Sequence, residues 1–217
     1  MDFDGTFTEE WMRRFAMSVA ATERELTAFD QQVGDGDFGA NLRTGTGFAV
    51  AALDRLPPGP RTAAAPLRTA ATAFLDEVGG TSGPLFGLVL QELAVAVGPG
   101  LTSATLAAGV TGGLAAVQRV GDAQPGDKTL VDALDPAARA LQALAPDVRP
   151  DEALAIAADA AFAGVRSTMS QRARRGRASY LGERASGVPD PGALGVGVLF
   201  ASAGRQLTGL AEFLRER

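Results

Sequence analysis

Hydrophobic residues recur every three or four positions along most of the chain, which is the spacing of one face of an α-helix. In the first segment these positions are Trp11, Phe15, Val19, Thr22, Leu26, Phe29 and Val33. The same spacing predicts a second helix up to the break at Pro57. Further helices are predicted over about 62–77, 84–97, 102–119, 129–145 and 151–174.

A last helix is predicted to begin at Asp190 and Pro191, because a capping aspartate followed by proline is a common helix start. Its buried face would consist of Leu199, Ala203, Leu207, Leu210 and Leu214. No segment shows the alternating pattern of a half-buried strand. About eight amphipathic helices joined by short Gly/Pro breaks predict an all-α fold, a bundle that forms one domain over residues 1–217.

The composition narrows the chemistry that such a fold can carry. Of 217 residues, 46% are hydrophobic and 21% charged, as in soluble globular proteins. Neither cysteine nor histidine occurs, so a bound metal must have oxygen ligands, which favours a hard cation such as Mg²⁺. A net charge of −5 argues against nucleic-acid binding. No apolar run reaches the roughly 18 residues of a membrane span, and the acidic N-terminus lacks a secretion signal, so a cytoplasmic location away from membranes is expected.

The most informative segment places Asp30, Asp35 and Asp37 around Gly34 and Gly36. On a continuous helix Asp30 and Asp35 would point about 140° apart, but the glycines let the chain leave the helix and turn the carboxylates toward one point. Three crowded carboxylates repel one another unless a cation neutralises them. The segment therefore predicts that these aspartates hold one or two Mg²⁺ ions, whose open positions bind phosphate oxygens.

Three other interpretations compete for this loop. Gly34, Gly36 and Gly39 satisfy the dinucleotide-binding pattern G-x-G-x-x-G, but a long amphipathic helix rather than a strand precedes them. A calcium EF-hand loop needs glutamate at its twelfth position, where the chain has Thr46. A solvated acidic turn that caps the next helix remains open.

Two further loops are suited to an anion. Residues 79–84 lead into a helix whose free N–H groups favour negative charge, although an ordinary capped turn has the same composition. Loop 172–192 is rich in arginine, which binds phosphate with two prongs, although a solvated surface loop is also arginine-rich. Its arginines are Arg172, Arg174, Arg175, Arg177 and Arg184. Residues 125–129 indicate only a turn, and the single lysine, Lys128, is attributed to base composition rather than to function.

Taken in order, these loops resemble the L subunit, or ATP-binding domain, of dihydroxyacetone kinases. The matching stretches are 33–37 with Asn41, 79–87, 125–129, and 176–184 followed by 190–193. They occur in the family's order and cover nearly the whole chain. The aspartate loop is also similar to that of fatty-acid kinases, but the motif at 176–184 and the short chain argue against that family.

The resemblance implies a barrel of eight antiparallel amphipathic helices with the nucleotide, ATP or ADP, at one end. It implies that Asp30, Asp35 and Asp37 bind two Mg²⁺ ions and that they act in catalysis together with Arg177. On the phosphate side the implied contacts are Phe38, Gly39, Asn41, Thr81, Ser82 and Arg177. On the adenosine side they are Gly121, Leu130, Asp190, Pro191 and Gly192.

The activity that the resemblance implies is that of a phosphotransferase, a glycerone kinase L subunit. Phosphate would pass to a small ketose held by a separate K subunit, where a histidine binds the ketose covalently, so the lack of histidine here is compatible. The donor could be exchangeable ATP, or ADP that stays bound and is recharged by a phosphoprotein of the sugar phosphotransferase system. Phe38, Ala40 and Val188 replace the family's usual His, Thr and His. These departures leave open another ketose such as erythrulose, or a degenerate nucleotide-sensing module.

Overall fold

The computed structural model describes residues 3–98, 100–180 and 185–215. Within these ranges the chain forms eight long α-helices and no strand, so the predicted all-α class is confirmed. The long helices are α1 (Gly5–Val33), α2 (Phe38–Leu53), α3 (Ala64–Glu77), α4 (Ser82–Ala96), α5 (Ser103–Gly121), α6 (Val131–Gln142), α7 (Pro150–Thr168) and α8 (Pro191–Ala201). A short 3₁₀ turn at Arg177–Tyr180 and a last helical turn, α9 (Ala211–Leu214), complete the described elements.

The helices form a closed antiparallel barrel. Each long helix packs against the next one along the chain, and α8 returns to pack against α1. The loops that follow α1, α3, α5 and α7 all reach the same cavity, so odd-numbered helices end and even-numbered helices begin at that end of the barrel. This arrangement confirms the predicted barrel and collects four loops in one place.

Aromatic side chains fill the interior nearest the cavity. The ring of Phe86 lies 6.2–6.5 Å from the rings of Phe15, Phe38 and Phe74, which come from three other helices. Each fully buried ring of this size contributes roughly 1.5–3 kcal/mol through removal of apolar surface from water. Such packing of amphipathic faces, rather than intrinsic propensity, stabilises helices of this length.

The last predicted helix is wrong in its extent, because α8 ends at Ala201. The guanidinium of Arg14 donates to the carbonyl oxygens of Ser202 at 2.9 Å and Ala203 at 2.6 Å. These bonds satisfy carbonyl groups that a continuing helix would use, and the chain turns away. Of the predicted buried positions, Leu199, Ala203, Leu207 and Leu210 are buried and Leu214 is only partly buried.

Helix α7 is also shorter than its periodicity predicts, ending at Thr168 instead of 174. The Thr168 carbonyl accepts a hydrogen bond from the buried Lys128 side chain at 2.5 Å, and the Met169 carbonyl accepts one from Gly187 N–H at 2.8 Å. Tertiary partners thus end this helix. None of the helices in the described ranges combines the length and apolar character needed to cross a bilayer.

Candidate functional site

A cavity of about 310 Å³ opens at the end of the barrel where α1, α3, α5 and α7 finish. Its walls come from loops that are as much as 160 positions apart in the chain, yet they contain nearly every residue predicted for the site. The predicted residues that line it are Asp30, Asp35, Asp37, Phe38, Asn41, Thr81, Ser82, Gly121, Leu130, Arg177, Asp190, Pro191 and Gly192. The fold therefore brings together groups that the sequence could only suggest one loop at a time.

Gly39 is the exception among the predicted residues, since it packs against α1 and not against the cavity. A Cβ atom at this position would lie 2.5 Å from the Glu23 carbonyl oxygen and would also collide with the Thr27 hydroxyl. Its role is to let α1 and α2 approach closely. Gly39 is not among the residues that line the cavity, and its contact with a nucleotide stays a prediction.

The three predicted metal ligands form one acidic cluster. Asp30, Asp35 and Asp37 each offer a carboxylate oxygen, and these atoms all lie within 4.8 Å of one another. Asp30 is buried in the last turn of α1, while Asp35 and Asp37 are exposed. Gly36 between them has a φ of 78°, which favours glycine and lets the loop turn back on itself. Carboxylate oxygens in this arrangement suit a hard divalent cation.

The loop and the start of α2 hold Asp30 firmly. The Phe38 backbone N–H donates to Asp30 Oδ2 at 3.0 Å, and the absence of a side chain at Gly34 leaves room for the Asp30 carboxylate. Burial raises the pKa of Asp30; the Phe38 N–H opposes this, while the neighbouring carboxylates of Asp35 and Asp37 raise the pKa further. A cation in the cluster would relieve both the burial and the repulsion.

The competing interpretation, a solvated acidic turn that caps the next helix, predicts a capping hydrogen bond to an aspartate side chain. Asp37 occupies the N-cap position of α2, but its side chain makes no capping hydrogen bond. Only its backbone carbonyl is used, accepting from Asn41 N–H at 2.9 Å. The carboxylate is therefore left to the cluster.

Arg177 faces the acidic cluster from the opposite wall. It opens the 3₁₀ turn Arg177–Tyr180, and its guanidinium donates to the Asp35 carboxylate in an ion pair. At this position the guanidinium could release the Asp35 carboxylate and bind a phosphate oxygen instead. The remainder of the motif, Leu181–Arg184, lies outside the described residues, as does the predicted contribution of Arg184.

The loop before α4 supplies groups for an anion. Thr81 is at the N-cap position of α4, yet its side chain makes no capping hydrogen bond. The hydroxyl-bearing residues Thr81 and Ser82 line the cavity at the helix N-terminus, where unpaired N–H groups and the helix dipole favour negative charge. Thr81 therefore does not make the side-chain hydrogen bond of an ordinary Ser/Thr-capped turn.

The far wall of the cavity is less polar. Gly121, Leu130 and the 190–192 turn lie there together with Leu85 and Val117. Asp190 caps α8 by accepting from Ala193 N–H at 2.8 Å. Part of this residue reaches the surface, yet burial of the carboxyl raises its pKa to about 7. The wall offers a flat apolar ligand a surface to pack on, with the capped turn at its edge.

Lys128 lines the cavity but is not among the residues predicted for the site. Its side chain is 1% exposed, it has a left-handed φ of 61°, and its Nζ donates to the carbonyl oxygens of Thr168 at 2.5 Å and Val188 at 2.6 Å. Burial lowers the pKa of this lysine, while nearby Asp190 acts in the opposite direction. It joins the end of α7 to the turn that leads into α8. A lone lysine in an arginine-rich chain was the available signal.

Two of the loop arginines have structural partners. Arg175 pairs with Asp122 at 3.0 Å and with Asp127 at 3.4 Å, and Arg174 approaches Asp127 at 3.6 Å. These contacts tie the loop after α7 to the loop after α5. Arg175 and Arg177 both line the cavity, but Arg177 pairs with Asp35 of the acidic cluster, so the predicted phosphate contact stays with Arg177.

Comparison with known proteins agrees with this geometry. The family model of the DAK2 domain matches residues 32–204. The PEP-dependent dihydroxyacetone kinase 2, ADP-binding subunit DhaL of Listeria innocua is 39% identical over 170 residues, which cover 77% of this chain and 78% of that protein. The L-erythrulose 1-kinase of Mycolicibacterium smegmatis is 38% identical over 202 residues, which cover 91% of this chain and 35% of that protein.

A solved structure shares the fold. The crystal structure of the dihydroxyacetone kinase from C. freundii in complex with AMP-PNP and Mg²⁺ aligns with a TM-score of 0.65 and 25% sequence identity. The alignment covers 92% of this chain and 33% of that chain. The chain thus spans about a third of the erythrulose kinase and of the C. freundii kinase, and most of the Listeria subunit.

Proposed function

The chain belongs to the DAK2 domain family, and from this we propose that it is the nucleotide-binding, phosphoryl-transferring subunit of a dihydroxyacetone kinase-type complex. It would pass phosphate from a Mg²⁺–nucleotide to a small ketose held on a separate subunit. The observation that carries the proposal is the meeting of three carboxylates within 4.8 Å at the mouth of a cavity whose other walls suit phosphate and a flat base.

The residues present fit a nucleotide bound through Mg²⁺. Asp30, Asp35 and Asp37 offer only oxygen ligands, in a chain without histidine or cysteine, and Mg²⁺ prefers such ligands. The structural relative from C. freundii was crystallised with AMP-PNP and Mg²⁺, which are the same classes of ligand. We propose two ions, because three carboxylates exceed the one or two that a single Mg²⁺ commonly takes from protein. When bound, the metal neutralises phosphate charge.

The chain's own groups would orient the phosphates and stabilise charge during transfer. Arg177 and the N-terminus of α4 at Thr81 and Ser82 line the same cavity as the acidic cluster and are suited to phosphate oxygens. Positioning and electrostatic stabilisation are the main contributions that a protein makes to phosphoryl transfer. The reaction breaks the bond from the terminal phosphorus to the nucleotide oxygen and forms a bond to the ketose hydroxyl oxygen, whose proton is lost.

The ketose acceptor, and a phosphoprotein where one recharges the bound nucleotide, belong to partners of this chain. A K-type subunit would hold the ketose, since the cavity here is accounted for by the nucleotide. The Listeria relative is named as a PEP-dependent, ADP-binding subunit, and this favours ADP that stays bound and is recharged by a phosphoprotein over exchangeable ATP. Purified protein that still carries stoichiometric ADP, and that does not exchange it for labelled ATP within the turnover time, would support recharging. Rapid exchange would favour ATP.

The three departures from the family pattern leave the site intact. Phe38 contributes its backbone N–H to Asp30, Ala40 is exposed on α2, and Val188 contributes its carbonyl to Lys128. In two of these positions the backbone makes the contact, so the change of side chain does not remove it. Nothing in the described site therefore favours a degenerate sensor over a working subunit.

Asp35→Asn tests the site directly. Removing one carboxylate charge from the cluster is expected to weaken Mg²⁺–ADP binding by about tenfold or more, since each tenfold corresponds to about 1.4 kcal/mol, while the fold is retained because Asp35 is exposed. Calorimetric titration with and without Mg²⁺ measures this. Asp54→Asn, the same change at the opposite end of α2, is the control and should bind as wild type does. Equal affinities for both variants would remove Asp35 from the site.

A further inference from the structure

Asp30 of the acidic cluster is held in the last turn of α1, whereas Asp35 and Asp37 sit on the loop between α1 and α2. Gly34 and Gly36 make the backbone permissive, and both Asp35 and Asp37 are exposed. A metal site needs its ligands within a fraction of an ångström of the bound geometry. Arg177 pairs with Asp35 from outside the loop, and Phe38, the residue that follows the loop, is placed to fix its other end.

Both the backbone amide and the ring of Phe38 are held in place. Its backbone N–H donates to Asp30 Oδ2 at 3.0 Å, and its ring is 4% exposed and packs 6.3 Å from the ring of Phe86. The edge of the Phe38 ring meets α8 at Gly195. A Cβ atom on Gly195 would lie 2.9 Å from Phe38 Cζ and 2.7 Å from Phe86 Cζ, so a larger residue there would have to push the rings aside.

We propose that Phe38 is a positioning residue for the metal site, and that Gly195 sets the position of its ring. The contact path runs from α8 through the Phe38 ring to the Phe38 amide and then to the Asp30 carboxylate. Because Phe38 is the first residue of α2, a shift of its ring also moves the end of the aspartate loop. The closeness of α8 to this ring thus couples barrel closure to the geometry of the cluster. The inference rests on the proposed function, and it assigns to a core contact a role in metal affinity.

The same helix provides a matched control. Gly197 also faces a ring, since a Cβ atom there would lie 2.7 Å from Phe162 Cε1. Phe162 is buried at 2% exposure on α7, and it stacks on Phe213 rather than on the residues of the site. Gly195→Ala and Gly197→Ala therefore impose similar crowding on the same helix, but only the first presses on the residue that holds Asp30.

The test is titration of the nucleotide-free protein with Mn²⁺, followed by the paramagnetic signal of the free ion, alongside urea unfolding in EDTA. Without nucleotide, direct contacts of Phe38 with a base or phosphate cannot contribute. Both variants are expected to lose stability, but only Gly195→Ala should raise the Mn²⁺ Kd, by about five- to tenfold, which corresponds to roughly one lost oriented ligand contact.

Each outcome decides the proposal. Equal Mn²⁺ Kd values for Gly195→Ala and Gly197→Ala would overturn it. If Gly195→Ala does not fold, Phe38→Leu and Phe162→Leu ask the same question by removing a ring instead of crowding one, and only Phe38→Leu should weaken Mn²⁺ binding. If the wild-type protein binds neither Mn²⁺ nor Mg²⁺–ADP, the proposed function itself fails, which is a result distinct from equal behaviour of the variants.

Discussion

At the scale of single residues, the Asp35 carboxylate can pair with either of two cations. In the structure its partner is the guanidinium of Arg177, whereas in the proposed complex its partner is Mg²⁺ and Arg177 turns to a phosphate oxygen. The ion pair is largely exposed, so its own contribution to stability is small. Its importance lies in keeping a phosphate-binding group close to the metal ligands before the nucleotide arrives.

Arg177→Ala should therefore separate metal binding from nucleotide binding. Mn²⁺ alone should bind at least as tightly as to wild type, because a competing cation is gone. Mg²⁺–ADP should bind about 10- to 100-fold more weakly, because a charge-assisted hydrogen bond worth roughly 1.5–3 kcal/mol is lost. Two calorimetric titrations measure the pair of constants. Arg172→Ala, at an exposed position of the same loop, is the control. A parallel fall of both affinities would mean that Arg177 acts by folding the loop.

The raised pKa of Asp190 is expected to make the free energy of unfolding depend on pH. Burial raises its pKa from the ordinary 3.8 to about 7, so between these values the folded protein holds a proton that the unfolded chain has released. The stability contributed by this group is therefore present below pH 3.8 and is lost as the pH rises through 7. Asp190→Asn keeps a capping oxygen for Ala193 N–H and should remove this part of the decline. Urea unfolding at several pH values measures it, and parallel profiles for the two proteins would contradict the assignment.

At the scale of helices, glycine decides how closely neighbours pack. Gly164 of α7 lies against α6, where a Cβ atom would collide with the Asp132 carbonyl oxygen and come within 2.9 Å of Pro136 Cγ. Gly47 of α2 is exposed, and a Cβ atom there meets nothing within 4 Å. The two residues have the same side chain and the same secondary structure but opposite surroundings.

Replacing each by alanine should move stability in opposite directions. Gly164→Ala is expected to destabilise by about 1–3 kcal/mol or more through overpacking. Gly47→Ala should stabilise by roughly 0.5–1 kcal/mol, because alanine loses less backbone freedom on folding into a helix. Urea unfolding curves with unchanged slope would report both effects as shifts of the midpoint. A stabilised Gly164→Ala would show that α6 and α7 can separate without cost.

Helical periodicity predicts the elements well and their ends poorly, and the reason is physical. The spacing of Leu199, Ala203, Leu207 and Leu210 marks which residues are buried, whether a helix or a series of turns presents them. The end of α8 is decided instead by Arg14, which is nearly 190 positions away in the chain. Likewise Lys128 is informative only once α7 and the 188–190 segment lie beside it. The local sequence pattern therefore predicts which residues are buried. Tertiary contacts decide where the helices end and which residues, such as Lys128, support the loops around the cavity.

The aspartate loop shows both what a local sequence motif can predict and what it cannot. The carboxylates around Gly34 and Gly36 repel one another when crowded, so charge repulsion and chain flexibility alone favour a cation-binding cluster among the interpretations that the sequence allows. Gly39, five residues after Gly34, follows the same motif but serves helix packing. A motif does not distinguish a glycine that approaches a ligand from one that approaches a neighbouring helix.

At the scale of the whole molecule, the up-and-down barrel places the candidate site at one of its two ends. Four loops meet at the cavity, and the connections between α2 and α3 and between α6 and α7 lie at the opposite end. A ligand that binds only the folded chain stabilises all of it by mass action, about 2.7 kcal/mol at a hundred times Kd. Amides that exchange hydrogen only through global unfolding should then slow throughout the barrel.

Amides that exchange by local opening should respond differently, and this distinguishes the two ends. With Mg²⁺ and ADP present, exchange should slow in loops 34–37, 78–81 and 122–130, because the ligand must leave before they open. Loops 54–63 and 143–149 open without disturbing the site, so their exchange should be unchanged. Hydrogen exchange followed by mass spectrometry, with ADP alone and Mg²⁺ alone as controls, reads both ends in one experiment. Protection of the opposite end alone would place the nucleotide elsewhere, and equal protection of both sets of loops would mean that the barrel opens only as a unit.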